Sequence, residues 1–274
     1  MPELPEVETI ARALREGKDG PPLPGKHIVS MTIKWPRHFE RPKARTARKR
    51  LTGRRIEDVS RRGKYLILPL DEGTLLIHLR MSGDLRLEPA SEPPGRFDHT
   101  VFHLEGDWEL RFSDARKFGR IWWLRDPQTE LGKLGPEPLS DDFTSDWLAA
   151  AVRSRKRMLK PLLLDQSFLA GVGNIYADEA LHRAGLHPRR RSDSLSNGEI
   201  EALYHGIREV LSAGLRHCGA SIDWVYRGGD FQNHFHVHQR EGLPCPKCGA
   251  PIERIVVGQR GTYLCPRCQR EDLR

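Results

Sequence analysis

Apolar residues near the start of the chain fall at Leu4, Val7, Ile10, Ala11 and Leu14, a spacing that lines one face of a helix. Pro5 suits its first turn, and Glu6 and Glu8 suit the positive end of its dipole. Residues 15–25 contain Gly and Pro and read as a loop. From His27 to about Leu124 the period changes. His27–Ile33, Tyr65–Leu68, Thr74–Leu79, Thr100–Leu104, Glu109–Phe112 and Arg120–Leu124 are short, apolar or alternating, and bounded by turn residues. Such a series predicts a β-sandwich or barrel. Gly132–Pro138 reads as a linker, and helical spacing then returns over Phe143–Val152, Lys160–Leu164, Ile175–Ala184 and Ser196–Leu215, with capping residues between Asp193 and Ser196. Residues 219–240 are irregular and rich in Gly and His.

A chain of 274 residues holds two domains with cores of their own. No run of about 18 apolar residues exists to span a membrane. The N-terminus lacks the basic and apolar regions of a signal peptide, so a soluble, cytoplasmic bacterial protein is expected. The formal net charge is +8, with dense basic stretches at Arg37–Arg55 and Arg153–Lys160. A polyanionic partner fits this balance, nucleic acid first. A solvated basic surface is the plainer reading.

Four of the five cysteines are paired near the C-terminus, as Cys245-Pro-Lys-Cys248 and, after sixteen intervening residues, Cys265-Pro-Arg-Cys268. Two such turns supply four thiolates for a closed tetrahedral zinc site, structural because no position remains for a water. The intervening Pro251–Leu264 segment predicts a hairpin with Gln259, Arg260 and Gly261 at its turn. Cys218 stands apart.

Removal of Met1 would make Pro2 the first residue. A terminal proline is a secondary amine, and an α-amino pKa of about 7.7–8.0 leaves it partly neutral near pH 7. It can attack a carbonyl-like carbon and form an iminium, the Schiff-base logic of covalent catalysis, with the Glu3 carboxylate beside it. A capped amphipathic helix with a chance proline explains the same residues. Gly171-Val-Gly-Asn174 before a helix exposes N–H groups to a phosphate, or merely permits close packing. Ser60-Arg-Arg-Gly-Lys64-Tyr65 is a basic strand entry. His78-Leu-Arg-Met81-Ser-Gly83 and Asp114-Ala-Arg116-Lys-Phe118-Gly119 are each a strand end or turn. His234, His236 and His238 alternate and would share one strand face; an exposed polar face is the ordinary reading, and a metal site the sharper one.

The string Pro-Glu-Leu-Pro-Glu-Val-Glu-Thr at residues 2–9 resembles the N-terminus of formamidopyrimidine-DNA glycosylases, bacterial base-excision enzymes acting on oxidised purines, and the later motifs follow in that family's order. The resemblance implies an α+β fold: an N-terminal β-sandwich flanked by helices, then a helix–two-turn–helix domain with a C-terminal zinc-finger β-hairpin. Expected boundaries are 1–131, a linker at 132–138, 139–240 with a lesion loop, and 241–274. By the same resemblance Pro2, Glu3, Lys64 and Arg260 are catalytic, and Glu6 organises the site. Lys156, Lys160, Asn174 and His99 contact DNA. Met81, Arg116 and Phe118 fill the gap left by a flipped nucleotide, Arg116 facing the orphaned base. Cys245, Cys248, Cys265 and Cys268 hold one zinc. One departure stands out: the family's usual Val-Tyr-Gly-Arg is Val237-His238-Gln239-Arg240 here, next to the loop at about 219–235 that closes over the flipped base in the family.

The implied activity is excision of 8-oxoguanine or formamidopyrimidines from duplex DNA, then β,δ-elimination at the abasic site, by a nucleoid-associated monomer needing no diffusible cofactor. An endonuclease VIII-like glycosylase for oxidised pyrimidines is the nearest alternative; the Leu4-Pro5-Glu6-Val7 start and the Met81/Arg116/Phe118 set speak against it. A non-catalytic zinc-ribbon DNA-binding protein shares the charge and the cysteines but has no need of Pro2 or Glu3.

Overall fold

A computed structural model describes residues 1–221 and 228–271. It divides into two compact units, one built on Met1–Lys133 and the other on Leu134–Ala220 and the residues from Gly229 on.

The first unit opens with helix α1, Leu4–Glu16, which buries the apolar stripe Leu4, Val7, Ile10, Ala11 and Leu14. Gly17, in the left-handed region, ends it. Nine strands follow: β1 (Ile28–Ile33), β2 (Phe39–Arg41), β3 (Ser60–Arg62), β4 (Tyr65–Pro69), β5 (Thr74–His78), β6 (Gly83–Pro89), β7 (Asp98–Leu104), β8 (Trp108–Asp114) and β9 (Arg120–Leu124). They form a four-stranded sheet in the order β1-β7-β8-β6 and a five-stranded sheet in the order β2-β9-β5-β4-β3. Side chains of both sheets and of α1 share one core, including Val7, Ile28, Leu66, Leu75, Leu85, Phe102 and Phe112. The arrangement is a sandwich, which the strand pattern alone left open against a barrel.

Six strands lie where the alternation predicts them. The two short strands β2 and β3, and β6, were not expected. β6 reads Gly-Asp-Leu-Arg-Leu-Glu-Pro, and only Gly83, Leu85 and Leu87 are buried; two apolar side chains give too short a signal for a strand. The basic stretch 37–55 also contains a helix, α2 (Ala44–Leu51), anchored by buried Ala47 and Leu51. The helix macrodipole favours cations near a C-terminus, and α2 ends on Arg48, Lys49 and Arg50.

The second unit carries α3's successors in the chain: α3 (Gln128–Leu131) precedes it, and α4 (Ser145–Arg153), α5 (Leu159–Leu163), α6 (Asn174–Ala184) and α7 (Asn197–Arg216) lie within it. All four match predicted helices to within two residues. Thr144 caps α4 by accepting from the Trp147 N–H, and Ser196 with Glu199 makes a capping box on α7. The unit closes with the hairpin β10 (Glu253–Val257) and β11 (Arg260–Leu264). Val257 pairs with Arg260, leaving a two-residue turn at Gly258 and Gln259 with φ of 55° and 64°. Two positive φ values match the turn whose twist suits a hairpin. The turn thus lies one residue earlier than predicted, and Arg260 begins β11.

The histidine trio does not share a strand. Phe231–His234 is a 3-10 turn. His236 lies edge-on to His182, and the His238 Nδ1 pairs with Asp178 Oδ2 at 2.9 Å. Of the loop at about 219–235, residues 222–227 lie outside the described residues. Among the described residues no helix is long and apolar enough to cross a membrane.

Candidate active site

Pro2 is buried, with Met1 before it on the surface. Glu3 is the N-cap of α1, and its backbone N–H donates to Glu6 Oε2 at 2.8 Å. Both carboxylates are only 2% exposed. Carboxylates at a helix N-terminus meet unpaired N–H groups and the positive end of the dipole, so the start of α1 holds two acidic side chains beside Pro2 that burial alone would expel. α1 packs on β3, β4 and β6. Arg61 of β3 reaches Glu8 on α1 at 2.9 Å, fastening to the helix the turn that carries Lys64. Lys64 is itself 4% exposed. Sequence reasoning picked out Pro2, Glu3, Glu6 and Lys64, and all four are buried in the same unit.

His78, at the end of β5, was not assigned a role. Arg80 N–H donates to its Nδ1 at 3.0 Å, and Tyr65 meets its ring edge-on at 4.8 Å. Burial, with the charges of Arg80 and Lys64, lowers its pKa to about 3, so it is a neutral acceptor at Nδ1.

The other two predicted turns are joined by one buried carboxylate. Gly83 pairs with Asp114 in the β6–β8 register. Asp114 Oδ1 accepts from Ser82 Oγ at 2.5 Å and from the Arg116 N–H at 3.3 Å, while Oδ2 accepts from the Gly119 N–H at 2.7 Å. Burial raises the Asp114 pKa, but His38, Ser82 and the Gly119 N–H outweigh it and hold the carboxyl below its ordinary range. A Cβ at Gly119 would lie 2.2 Å from Phe112 Cζ, so only glycine lets the loop close this tightly. The result is display: Met81 is 40% and Phe118 47% exposed, and the Arg116 guanidinium lies 5.1 Å from the Phe118 ring centroid. Asp114 and Ser82 are the residues sequence reasoning missed here. The only signal was an Asp two residues before an Arg in a turn. His99 is half-buried, with its Nε2 unpaired. Burial and Lys117 lower its pKa.

In the second unit Gly171-Val-Gly leads into α6. Gln166 braces this loop, accepting from the Gly171 N–H at 2.9 Å and donating to the Val172 carbonyl at 2.8 Å. Lys160 is fully buried. Its Nζ donates to Asp178 Oδ1 at 2.6 Å, Thr262 Oγ1 at 2.8 Å and the Gly261 carbonyl at 3.0 Å. Asn174 Nδ2 donates to the same carbonyl at 3.1 Å. Both predicted phosphate ligands therefore converge on the residue after Arg260, which is exposed; Lys156 is exposed as well. Glu179 receives the backbone N–H groups of His236, Val237 and His238 at 2.8–2.9 Å. Asp178 and Glu179 also went unpredicted, although adjacent carboxylates within the otherwise apolar run Ile175–Leu181 are a usable signal, since buried charges must be paired.

The four cysteine sulfurs lie within 4.8 Å of one another, with Cys248 and Cys265 3.4 Å apart and Cys245 and Cys268 4.0 Å apart. Tetrahedral zinc with sulfur at about 2.3 Å sets sulfurs about 3.8 Å apart, so the donor set fits one zinc ion. The Ala250 backbone lowers Cys248 to about 7, while burial and the neighbouring sulfurs push Cys268 up to about 12. A divalent cation removes that conflict by favouring all four thiolates. Gln269 ties the cluster inward: its side chain accepts from the Cys265 N–H at 2.9 Å and donates to the Leu186 carbonyl at 2.9 Å.

Family models match along the chain: the formamidopyrimidine-DNA glycosylase N-terminal domain over residues 1–121, the H2TH domain of the same enzymes over 134–225, and a zinc finger found in FPG and IleRS over 242–270. The chain belongs to the formamidopyrimidine-DNA glycosylase family. A formamidopyrimidine-DNA glycosylase of Pelotomaculum thermopropionicum is 42% identical, covering 98% of this chain and 99% of its own. That of Roseiflexus sp. is 46% identical, over 98% and 100%. Among solved structures, a Lactococcus lactis Fpg in complex with DNA containing an abasic site superposes with a TM-score of 0.91 at 36% identity, over 98% and 100% of the two chains. The MutM (Fpg) protein of Thermus thermophilus gives 0.88 at 42% identity, over 99% and 100%. This member of the family has a buried α1 cap and a four-cysteine cluster and carries His238-Gln239 in its Glu179-bound segment. Gln239 adopts a φ of 57°, a conformation glycine takes without strain.

Proposed function

We infer that the chain is a bifunctional DNA glycosylase and abasic-site lyase of base-excision repair, removing oxidised purines from duplex DNA. The observation that carries this is the buried group Pro2, Glu3 and Glu6 at the start of α1, in one unit with buried Lys64. Solved relatives support the substrate class: they hold DNA with an abasic site, Fapy-dG or carbocyclic 8-oxo-G.

Removal of Met1 exposes the Pro2 secondary amine. With an oxidised purine flipped out, that nitrogen attacks the sugar C1′, the glycosidic C–N bond breaks, and the amine proton passes to the departing base. Glu3 protonates the ring oxygen, the sugar opens, and Pro2 is left as an iminium. The iminium draws electrons from C2′ as its proton leaves, expelling the 3′ phosphate. A second elimination expels the 5′ phosphate, and water releases the sugar fragment from Pro2. Glu6 fixes the Glu3 backbone and hence the cap. Lys64 and Arg260 hold phosphates, and His99, Lys156 and the α6 start at Asn174 grip the DNA backbone. Lys160 acts through the hairpin, with Asn174 fixing Gly261 and so the place of Arg260. Met81 and Phe118 wedge into the stack, and Arg116 faces the orphaned base. Zinc, held by Cys245, Cys248, Cys265 and Cys268, supplies rigidity to the finger.

The domains on this reading are 1–131, a linker at 132–138, 139–240 and 241–274. The protein acts as a monomer in the bacterial cytoplasm, on the nucleoid. Cleavage of otherwise identical duplexes containing 8-oxoguanine or thymine glycol tests the substrate class. The 8-oxoguanine duplex is cleaved much faster on this reading; the reverse order would place the chain with the pyrimidine-specific enzymes.

A further inference from the structure

We propose that His217, Asp230 and His234 form a second metal site, open to solvent and separate from the four-cysteine cluster, that takes a divalent transition ion such as zinc. His217 is the residue that ends α7, and Asp230 and His234 bracket the 3-10 turn. One ligand atom from each lies within 4.8 Å of the others. His217 Nδ1 is 2.9 Å from Asp230 Oδ1, His234 Nε2 is 3.9 Å from Asp230 Oδ2, and the two imidazole rings are 3.8 Å apart.

The backbone, rather than the three side chains, sets this cluster. The Asp230 N–H donates to the His217 carbonyl and the Phe231 N–H to the Gly219 carbonyl, both at 3.0 Å. Phe231 is buried and stacks flat on Tyr176, with the rings 5.3 Å apart. The ligands are therefore gathered before any ion arrives, which lowers the ordering cost of binding.

Hydrogen bonding alone accounts for only part of the arrangement. Asp230 bonds His217, but 3.9 Å to His234 is too long for a hydrogen bond. An ion within reach of both imidazoles and the carboxylate satisfies all three. Two imidazoles with one carboxylate suit zinc, nickel or copper, whereas magnesium and calcium prefer all-oxygen sites. The side chains are 32%, 59% and 46% exposed, in the order His217, Asp230, His234. A cavity of about 500 Å³ lies against His217 and His234, so water completes the coordination. Arg183 and Arg216 line the same cavity, Arg183 paired with Glu209. Their charge makes this the weaker of the two sites, filled after the cysteines. A bound ion ties the end of α7 to the 3-10 turn.

Equilibrium dialysis of the zinc-loaded protein against excess Zn²⁺, with metal and protein quantified, tests the proposal. The wild type is expected to hold two equivalents. His217→Gln with His234→Gln should hold one, and a control at an exposed histidine elsewhere on α7, His205→Gln, should hold two. Asp230→Asn, at an exposed position, should weaken the second equivalent by at least the roughly 10–100-fold that loss of an outer-shell partner costs. Excess zinc should raise the Tm of the wild type and leave that of the double variant unmoved. A single equivalent in the wild type, or two in the double variant, would overturn the proposal.

Discussion

At the scale of single residues, the site rests on buried polar groups held in place by their hydrogen-bond partners. Asp114 holds two turns at once, so Asp114→Asn should cost about 2 kcal/mol, the range for a buried hydrogen bond to a charged group. It should also lower excision more than binding, because Arg116 and Phe118 lose their fixed display. Thermal unfolding with single-turnover kinetics checks both; loss of affinity alone would place Asp114 outside the wedge. His78 gives a pH test. Its folded pKa of about 3 lies below the ordinary 6.5. The unfolded chain therefore binds the extra proton between those values, and the His78 contribution is full above pH 6.5 and falls as pH drops toward 3. Asp84, raised to about 6 chiefly by burial, acts in the opposite sense from about pH 4 to 6, so the wild-type curve mixes the two. The difference between wild type and His78→Gln isolates the histidine: the stability gap should narrow toward acid with a slope approaching about 1.4 kcal/mol per pH unit. A gap independent of pH would mean that His78 is not held neutral.

At the scale of elements, the finger hairpin depends on metal and on Gln269 more than on its own core, which is small: Val237, Cys245, Ile252 and Cys265. Cys248→Ala, or removal of zinc by a chelator, should unfold the hairpin and weaken DNA binding while the sandwich keeps its own transition. Circular dichroism and a binding titration check this; full affinity without zinc would contradict the role given to Arg260. The elements legible in the sequence were those with a strong period or a chemical spacing. α1, α4 to α7, six strands and the cysteine pairs all qualify. Those missed are held by partners distant in the chain. β6 forms because it pairs with β8. α2 buries only two side chains. The histidine trio, alternating in sequence, is split: His234 ends a 3-10 turn, while Glu179 captures the backbone N–H groups of His236, Val237 and His238. Of the candidate site, Pro2 and Glu3 were legible from the chemistry of a terminal proline, and Glu6 and Lys64 through resemblance to family motifs. Asp114, Asp178, Glu179 and Gln166 were not, because each works by bonding backbone or side chains that only the fold brings near.

At the scale of the molecule, the formal charge of +8 gives attraction to any polyanion, and counterion release makes that attraction salt-sensitive. Charge does not distinguish a repair enzyme from a zinc-ribbon DNA-binding protein; a nucleophile does. In the proposed reaction the Pro2 nitrogen becomes covalently joined to the sugar. Borohydride reduction during reaction with a duplex carrying 8-oxoguanine opposite cytosine tests it most directly, followed by peptide mapping of the crosslink. A stable adduct on Pro2 is expected in protein lacking Met1, and none with Pro2→Gly despite retained binding. Binding without an adduct, on this duplex and on one with an abasic site, would contradict it and leave a non-catalytic DNA-binding protein.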